Sequence, residues 1–168
     1  MVVGCGALGN EVMKNLVLMG VGHLVLVDFD YVEPSNLSRS ILYRSFEIGQ
    51  RKVDVAKRAL LQLNPDLRVD TIFGDVAYEV GLGLFRRMDV VVGCVDSRWA
   101  RYCIQRLCLR AGKSWVDGGI LDLEGTMRVF RPGENCYACS LGEQGLEELR
   151  RRMPCSGVIR RQEEAHHA

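Results

Sequence analysis

The chain has 168 residues, 48% of them apolar and 26% charged, and carries a formal net charge of +1. This balance suits a single globular domain and excludes a strongly basic nucleic-acid binder or a polybasic membrane-surface protein. No apolar run is long enough to span a bilayer, and the first residues lack the basic, apolar, small-residue order of an export signal.

Met1 to Val3 begin a strand. The stretch GCGALG follows and opens a helix in NEVMKNLVLMG, where Val12, Leu16 and Met19 share a face and Gly20 is the stop. HLVLVD, residues 23–28, is a second strand. Gln50 to Asn64 is an amphipathic helix with a stripe of Val53, Ala56, Leu60 and Leu63, ended by Asn64-Pro65. LRVDTIF is a third strand, and Val76 to Arg87 a helix weakened by Gly81 and Gly83. DVVVGCV reads as a central parallel strand, apolar on both faces. Trp99 to Ala111 is a helix and SWVDGG a fifth strand. GILDLEG and TMRVF form a hairpin with its turn near Glu124-Gly125, and EQGLEELRRR is a short helix. The alternation predicts a Rossmann-like, doubly wound α/β fold, mainly parallel, with a C-terminal β-hairpin extension.

In such sheets ligands bind outside the carboxyl ends of the strands. Gly4-x-Gly6-x-x-Gly9 lies at one such end, between strand and helix. Glycine there permits a tight turn and close backbone approach, and a helix N-terminus offers free N–H groups to an anion. Asp28 ends the second strand, where a carboxylate can bind a ribose hydroxyl. The pattern points to a nucleotide, against the plainer reading of a tight turn with no ligand.

DFDYVEPSNLSRS, residues 28–40, then selects among nucleotides. A hydride-transfer enzyme has no evident need for Asn36, Arg39 and Lys52 beyond its second strand. A triphosphate does, because fixed cations offset the charge that develops on a leaving pyrophosphate. Asp96, at the end of a neighbouring strand, is an oxygen ligand for magnesium. Singly, Arg39 and Lys52 would read as solvated surface charges; with Asp28, Asn36 and Asp96 they read as a site.

These residues resemble the ThiF/MoeB/HesA family, relatives of ubiquitin-activating enzymes. The matching motifs are GCGALG, DFDYVEPSNLSRS, GQRKVDVAKRALLQLNP, DVVVGCVDSRWAR, WVDGGI, EGTMRVFRPG and CYAC, in order, over residues 2 to about 140. The resemblance implies that residues 1–168 are a single ATP-binding adenylation domain. With ATP and Mg2+ it would adenylate the C-terminal glycine of a small ubiquitin-like sulfur-carrier protein and release pyrophosphate. Carried over by motif, Gly4, Gly6 and Gly9 approach the nucleotide and Asp28 holds the ribose. Asn36, Arg39 and Lys52 contact the phosphates, and Asp96 binds magnesium. A homodimer is also implied. Ala7, Ser40 and Ser97 depart from common family residues and leave the subfamily open. Relatives carry a helix before the first strand, with an arginine that reaches the partner subunit's site, and they continue further at the other end. The expectation is therefore a domain truncated at both ends.

Seven cysteines are scattered along the chain. Cys5, Cys94, Cys103 and Cys108 sit in apolar or helical surroundings, where cysteine behaves as a small core residue. The odd count and missing export signal favour a reducing cytoplasm over a disulfide framework. Cys136-x-x-Cys139 is half of a tetrahedral zinc site or a pair of free thiols. Its other ligands would be a second pair, which family members supply later, or Cys155, His166 and His167. Cys155 falls where some relatives form a thioester or persulfide, and the neighbouring Arg150, Arg151, Arg152 and Arg160 would favour its thiolate; the alternative is an unreactive loop cysteine. Two other functions remain open: an NAD-dependent oxidoreductase, and a non-catalytic relative that docks a carrier protein.

Overall fold

A computed structural model describes residues 1–121, 124–134 and 136–152. The strands are β1 (Val2–Val3), β2 (His23–Asp28), β3 (Arg68–Phe73), β4 (Val90–Gly93), β5 (Ser114–Leu121) and β6 (Glu124–Phe130). The helices are α1 (Ala7–Leu18), α2 (Lys52–Leu63), α3 (Leu82–Arg87), α4 (Arg98–Ala111) and α5 (Gly142–Arg152). The strands form one sheet in the order β3-β2-β1-β4-β5-β6, parallel except for the antiparallel edge strand β6. This is the doubly wound, Rossmann-like α/β architecture.

Alternation of side chains along the strands fills both sides of the sheet. On one side Val2, Leu24 and Leu26 pack with Met13 and Val17 of α1 and Val53, Ala56 and Leu60 of α2. On the other, Val3, Val25, Val27 and Val91 pack with Phe85 of α3, Ile104 and Cys108 of α4, and Trp115. A strand buried on both faces needs apolar residues at every position, hence the unbroken buried run LVLV, residues 24–27. Among the described residues no helix is long and apolar enough to cross a membrane.

Three local expectations shift. The buried stripe of α1 is Gly9, Asn10, Met13 and Val17, while Met19 is 80% exposed, because the helix closes against the glycine loop through Gly9 and Asn10. The helix expected over Val76 to Arg87 is helical only from Leu82, with Gly81 at its N-cap. Glycine propensity cuts it there. The hairpin reverses between Leu121 and Glu124, not at Glu124-Gly125, so SWVDGG and the following residues are one long strand.

Candidate functional site

The site lies where the fold divides. β1 leads through Gly4–Gly6 into α1 and towards β2, whereas its neighbour β4 leads through 94–97 into α4 and towards β5. The chain leaves adjacent strands in opposite directions, and a crevice must open between them. A cleft of about 610 Å³ occupies it. Gly4, Gly6, Asp28, Asn36, Arg39, Lys52 and Asp96, scattered in sequence, all line this cleft.

The glycines divide the work. Gly4 has φ +95°, and a Cβ there would lie 2.5 Å from the Cys94 carbonyl oxygen. Gly9 does not line the cleft: its Cβ would sit 2.0 Å from the Gly4 carbonyl oxygen, so its absence lets α1 close on the loop. Gly6, the N-cap of α1, meets nothing within 4 Å and faces open space. Only Gly6 leaves room that a side chain would fill on the ligand side.

The loop is fastened from three segments. Asp28 accepts from the Cys5 N–H at 2.6 Å and the Asp30 N–H at 2.7 Å. The Asn10 amide, fully buried, donates to the carbonyls of Cys5 at 2.8 Å and Gly6 at 3.0 Å, and accepts from the Leu42 N–H at 3.0 Å. The Tyr43 hydroxyl donates to the Cys5 carbonyl. Burial raises the Asp28 carboxyl above its ordinary value, opposed by those two backbone N–H groups and by Lys52. Each Asp28 oxygen retains a lone pair for a further donor.

Sequence reasoning missed Asn10 and Tyr43. An asparagine in phase with Met13 and Val17 on the buried face of a helix was the available signal.

The polar strand end is ordered by its own hydrogen bonds. Asn36 is buried and closes a short 3-10 turn, Pro34–Asn36, by accepting from the Glu33 N–H at 3.0 Å. Lys52, buried at the start of α2, pairs with Asp30 at 2.7 Å. Asp30, not among the expected site residues, also lines the cleft. Arg39 and Asp96 are exposed in it, and their side chains have no hydrogen-bond or ion-pair partner among the described residues. On the opposite wall Arg101 donates to Asp117 at 2.9 Å and to the Gly118 carbonyl at 3.3 Å. Burial raises the Asp117 carboxyl, and the Arg101 charge opposes that rise. Cys94 lines the cleft, its thiol pushed up to about 12 by burial.

The cysteine pair is elsewhere. Cys136 and Cys139 face one another at 2.9 Å between sulfurs and do not line the cleft. Tyr137 between them is buried against Trp115 and Phe130, and its N–H donates to Gln105 at 3.2 Å. A hydrogen bond from Cys136 holds the Cys139 thiol below its ordinary value. Two adjacent thiols suit half of a zinc site. Among the described residues no three His, Cys, Asp or Glu side chains are grouped to hold a metal. Cys155, His166 and His167 lie outside the described residues.

Fold and cleft together define a doubly wound α/β protein with a polar crevice at its switch point. A family model described as the ThiF family matches residues 1–161, and the chain belongs to that family. It is 39% identical over 140 residues to the adenylyltransferase and sulfurtransferase MOCS3 of Bos taurus, covering 83% of this chain and 31% of that protein. It is 34% identical over 141 residues to SUMO-activating enzyme subunit 2 of Dictyostelium discoideum, covering 83% of this chain and 21% of that protein. Among solved structures, E. coli MccB with ATP superimposes with a TM-score of 0.71 at 25% identity, over 91% of this chain and 47% of that one. MccB with succinimide gives a TM-score of 0.75 at 26% identity, over 91% and 48%. The chain thus spans a third or less of these curated relatives and about half of the solved chains.

Proposed function

We propose that the chain is the ATP-binding adenylation domain of an enzyme that joins AMP to the C-terminal glycine of a small ubiquitin-like sulfur-carrier protein. The observation that carries this is the convergence of Asp28, Asn36, Arg39, Lys52 and Asp96 on one cleft beside the open Gly6. A relative named for adenylyl transfer and a neighbour solved with ATP support it. In this reading Asp28 accepts from the ribose hydroxyls, and the α1 N-terminus with Arg39 and Lys52 faces the phosphates. The carrier's carboxylate oxygen attacks the α-phosphorus, the bond to the bridging oxygen breaks, and pyrophosphate leaves. Asp96 would hold magnesium, which offsets phosphate charge when bound. The nucleophile is already a carboxylate, so this step needs no enzyme base or thiol. Cys136 and Cys139 would supply two zinc ligands, and Cys155 a later transfer step. A homodimer working in the cytoplasm completes the proposal.

Carrier-dependent ATP–pyrophosphate exchange by the full protein is the test, with candidate carriers added one at a time. Lys52→Ala and Arg39→Ala should each lose about a hundredfold in rate, as expected for a preorganised charge. Asp96→Ala should abolish exchange with an unchanged melting temperature. Tighter binding of NAD than of ATP would overturn the proposal, and carrier binding without exchange would favour a docking module.

A further inference from the structure

We infer that Asp30 is a positioning residue, which aims the Lys52 ammonium and holds it in place for the phosphates of a bound nucleotide. The inference rests on the reading of this cleft as an ATP site.

Lys52 and Asp30 both line the cleft, but they are buried unequally. The Lys52 side chain is 10% exposed and that of Asp30 is 49% exposed. A buried ammonium with no partner is costly and swings towards water. Lys52 is tied to Asp30 twice. Its Nζ donates to Oδ2 of Asp30 at 2.7 Å, and its backbone N–H donates to the Asp30 carbonyl at 3.0 Å. One bond fixes the root of the side chain and the other fixes its tip.

Asp30 is held in turn. Its N–H donates to Oδ1 of Asp28 at 2.7 Å, while Oδ2 of Asp28 accepts from the Cys5 N–H at 2.6 Å. The residues that follow form a short antiparallel bracket. Tyr31 bridges Arg51, the Val32 N–H donates to the Gln50 carbonyl at 2.8 Å, and the Gly49 N–H donates to the Val32 carbonyl at 2.8 Å. One chain of bonds therefore runs from the glycine loop through Asp28 and Asp30 to Lys52. Arg39, across the same cleft, has no such support: it is exposed, and its side chain has no partner among the described residues.

Lysine is a point charge on a flexible stem, so by itself it supplies attraction without direction. A carboxylate bonded to one of its three N–H groups supplies the direction and leaves two for phosphate oxygens. The same carboxylate repels a triphosphate. Its presence beside Lys52 favours placement of the cation over tightness of nucleotide binding, and a placed charge is what stabilises a leaving pyrophosphate.

The test is a double-mutant cycle on the full chain, read by calorimetric titration with ATP in the presence of magnesium and by pyrophosphate exchange. Lys52→Ala should weaken ATP binding about tenfold, the loss expected for one charge-assisted bond. With Asp30→Ala already present it should cost under about twofold, because an unaimed ammonium has little left to contribute. Asp30→Asn keeps an acceptor for the ammonium but removes the negative charge. It should bind ATP as tightly as the unaltered protein or more tightly, and exchange about tenfold more slowly. A structural role alone would move the melting temperature and leave this split absent. Asp30→Ala strands a buried cation, so titrations run well below the lowest melting temperature of the set, and Asp30→Asn carries the test if the alanine variant does not fold.

Equal losses from Lys52→Ala in both backgrounds would overturn the inference. So would tenfold weaker ATP binding by Asp30→Asn, which would make the carboxylate a ligand in its own right. Coupling in ATP binding by a protein that exchanges with no carrier would leave the role of Asp30 standing and sink the adenylation reading. Additive losses in a protein that does exchange would do the reverse, and absence of ATP binding would overturn both.

Discussion

The glycine loop after β1 and the cysteine loop after β6 make an instructive pair. Both carry a cysteine in a tight bend, yet they are held differently. Cys5 is fully buried; its carbonyl accepts from Asn10 and Tyr43 and its N–H donates to Asp28, on three separate segments. The Cys136–Cys139 loop is anchored by one aromatic, Tyr137, and one backbone bond to Gln105, with Cys139 exposed. Convergent bonds from distant segments fix backbone position to a fraction of an ångström, as a phosphate cradle requires. A single aromatic anchor sets only the location of a loop and leaves its thiols open to solvent and partners.

The largest effect should come from breaking the first arrangement. Gly9→Ala places a methyl group against the Gly4 carbonyl, and should cost about 3 kcal/mol or prevent folding, measured by urea unfolding. Gly6→Ala meets no atom and should change stability by under about 0.5 kcal/mol. It should nonetheless weaken ATP binding if the loop is the phosphate cradle. A stable Gly9→Ala variant would show that the loop relaxes and is not tightly set.

The anchors come next. Tyr137→Ala should lose about 3 kcal/mol, as removal of a buried aromatic does, while ATP binding stays within about twofold. Asn10→Ala should lose about 2 kcal/mol by stranding the buried Leu42 N–H, and it should weaken ATP binding as well. Calorimetric melting beside nucleotide titration separates the two. Equal effects of both variants on ATP binding would erase the distinction between the loops.

Thiol chemistry sharpens it further. Burial pushes Cys94 from 9.0 up to about 12 and Cys103 up to about 11. At pH 8 the Cys94 thiolate is then about a thousandfold scarcer than that of an ordinary thiol. Timed alkylation with mass spectrometry should modify Cys139 first and Cys94 and Cys103 only on unfolding. The smallest effect concerns acid. Asp70 lies below its ordinary 3.8, chiefly through its hydrogen bond with His23. It contributes stability above the unfolded value, and this is lost as pH falls through the lowered one. Asp28 is raised, so its contribution has the opposite sign, present at low pH and lost as pH rises through the folded value. Asp70→Asn should flatten the loss of stability below pH 4 by less than about 0.5 kcal/mol, because the pair is exposed to solvent. Melting curves from pH 3 to 6 would reveal it.

Much of the molecule was legible from the order of its residues. The doubly wound sheet follows from apolar runs alternating with amphipathic stretches, since a strand covered on both faces has no room for polar side chains. Gly4, Gly6, Asp28 and Lys52 were legible because their chemistry is tied to local context: a turn, a strand end, a helix start. The stripe of α1 was misjudged because Asn10 looks polar, while its buried amide is satisfied by the carbonyls of Cys5 and Gly6 and by the distant Leu42 N–H. Asp30 and Arg101 carry no local signal and became part of the cleft only when their strands and helices were placed. Residue type and spacing alone determined that glycine, charged and amide residues would gather at the strand ends. Only the tertiary structure decided that Gly9 serves packing, that the cysteine pair stands apart from the cleft, and that β5 outruns β4. Those outcomes depend on how far each element extends against neighbours distant in sequence, which local propensity does not encode.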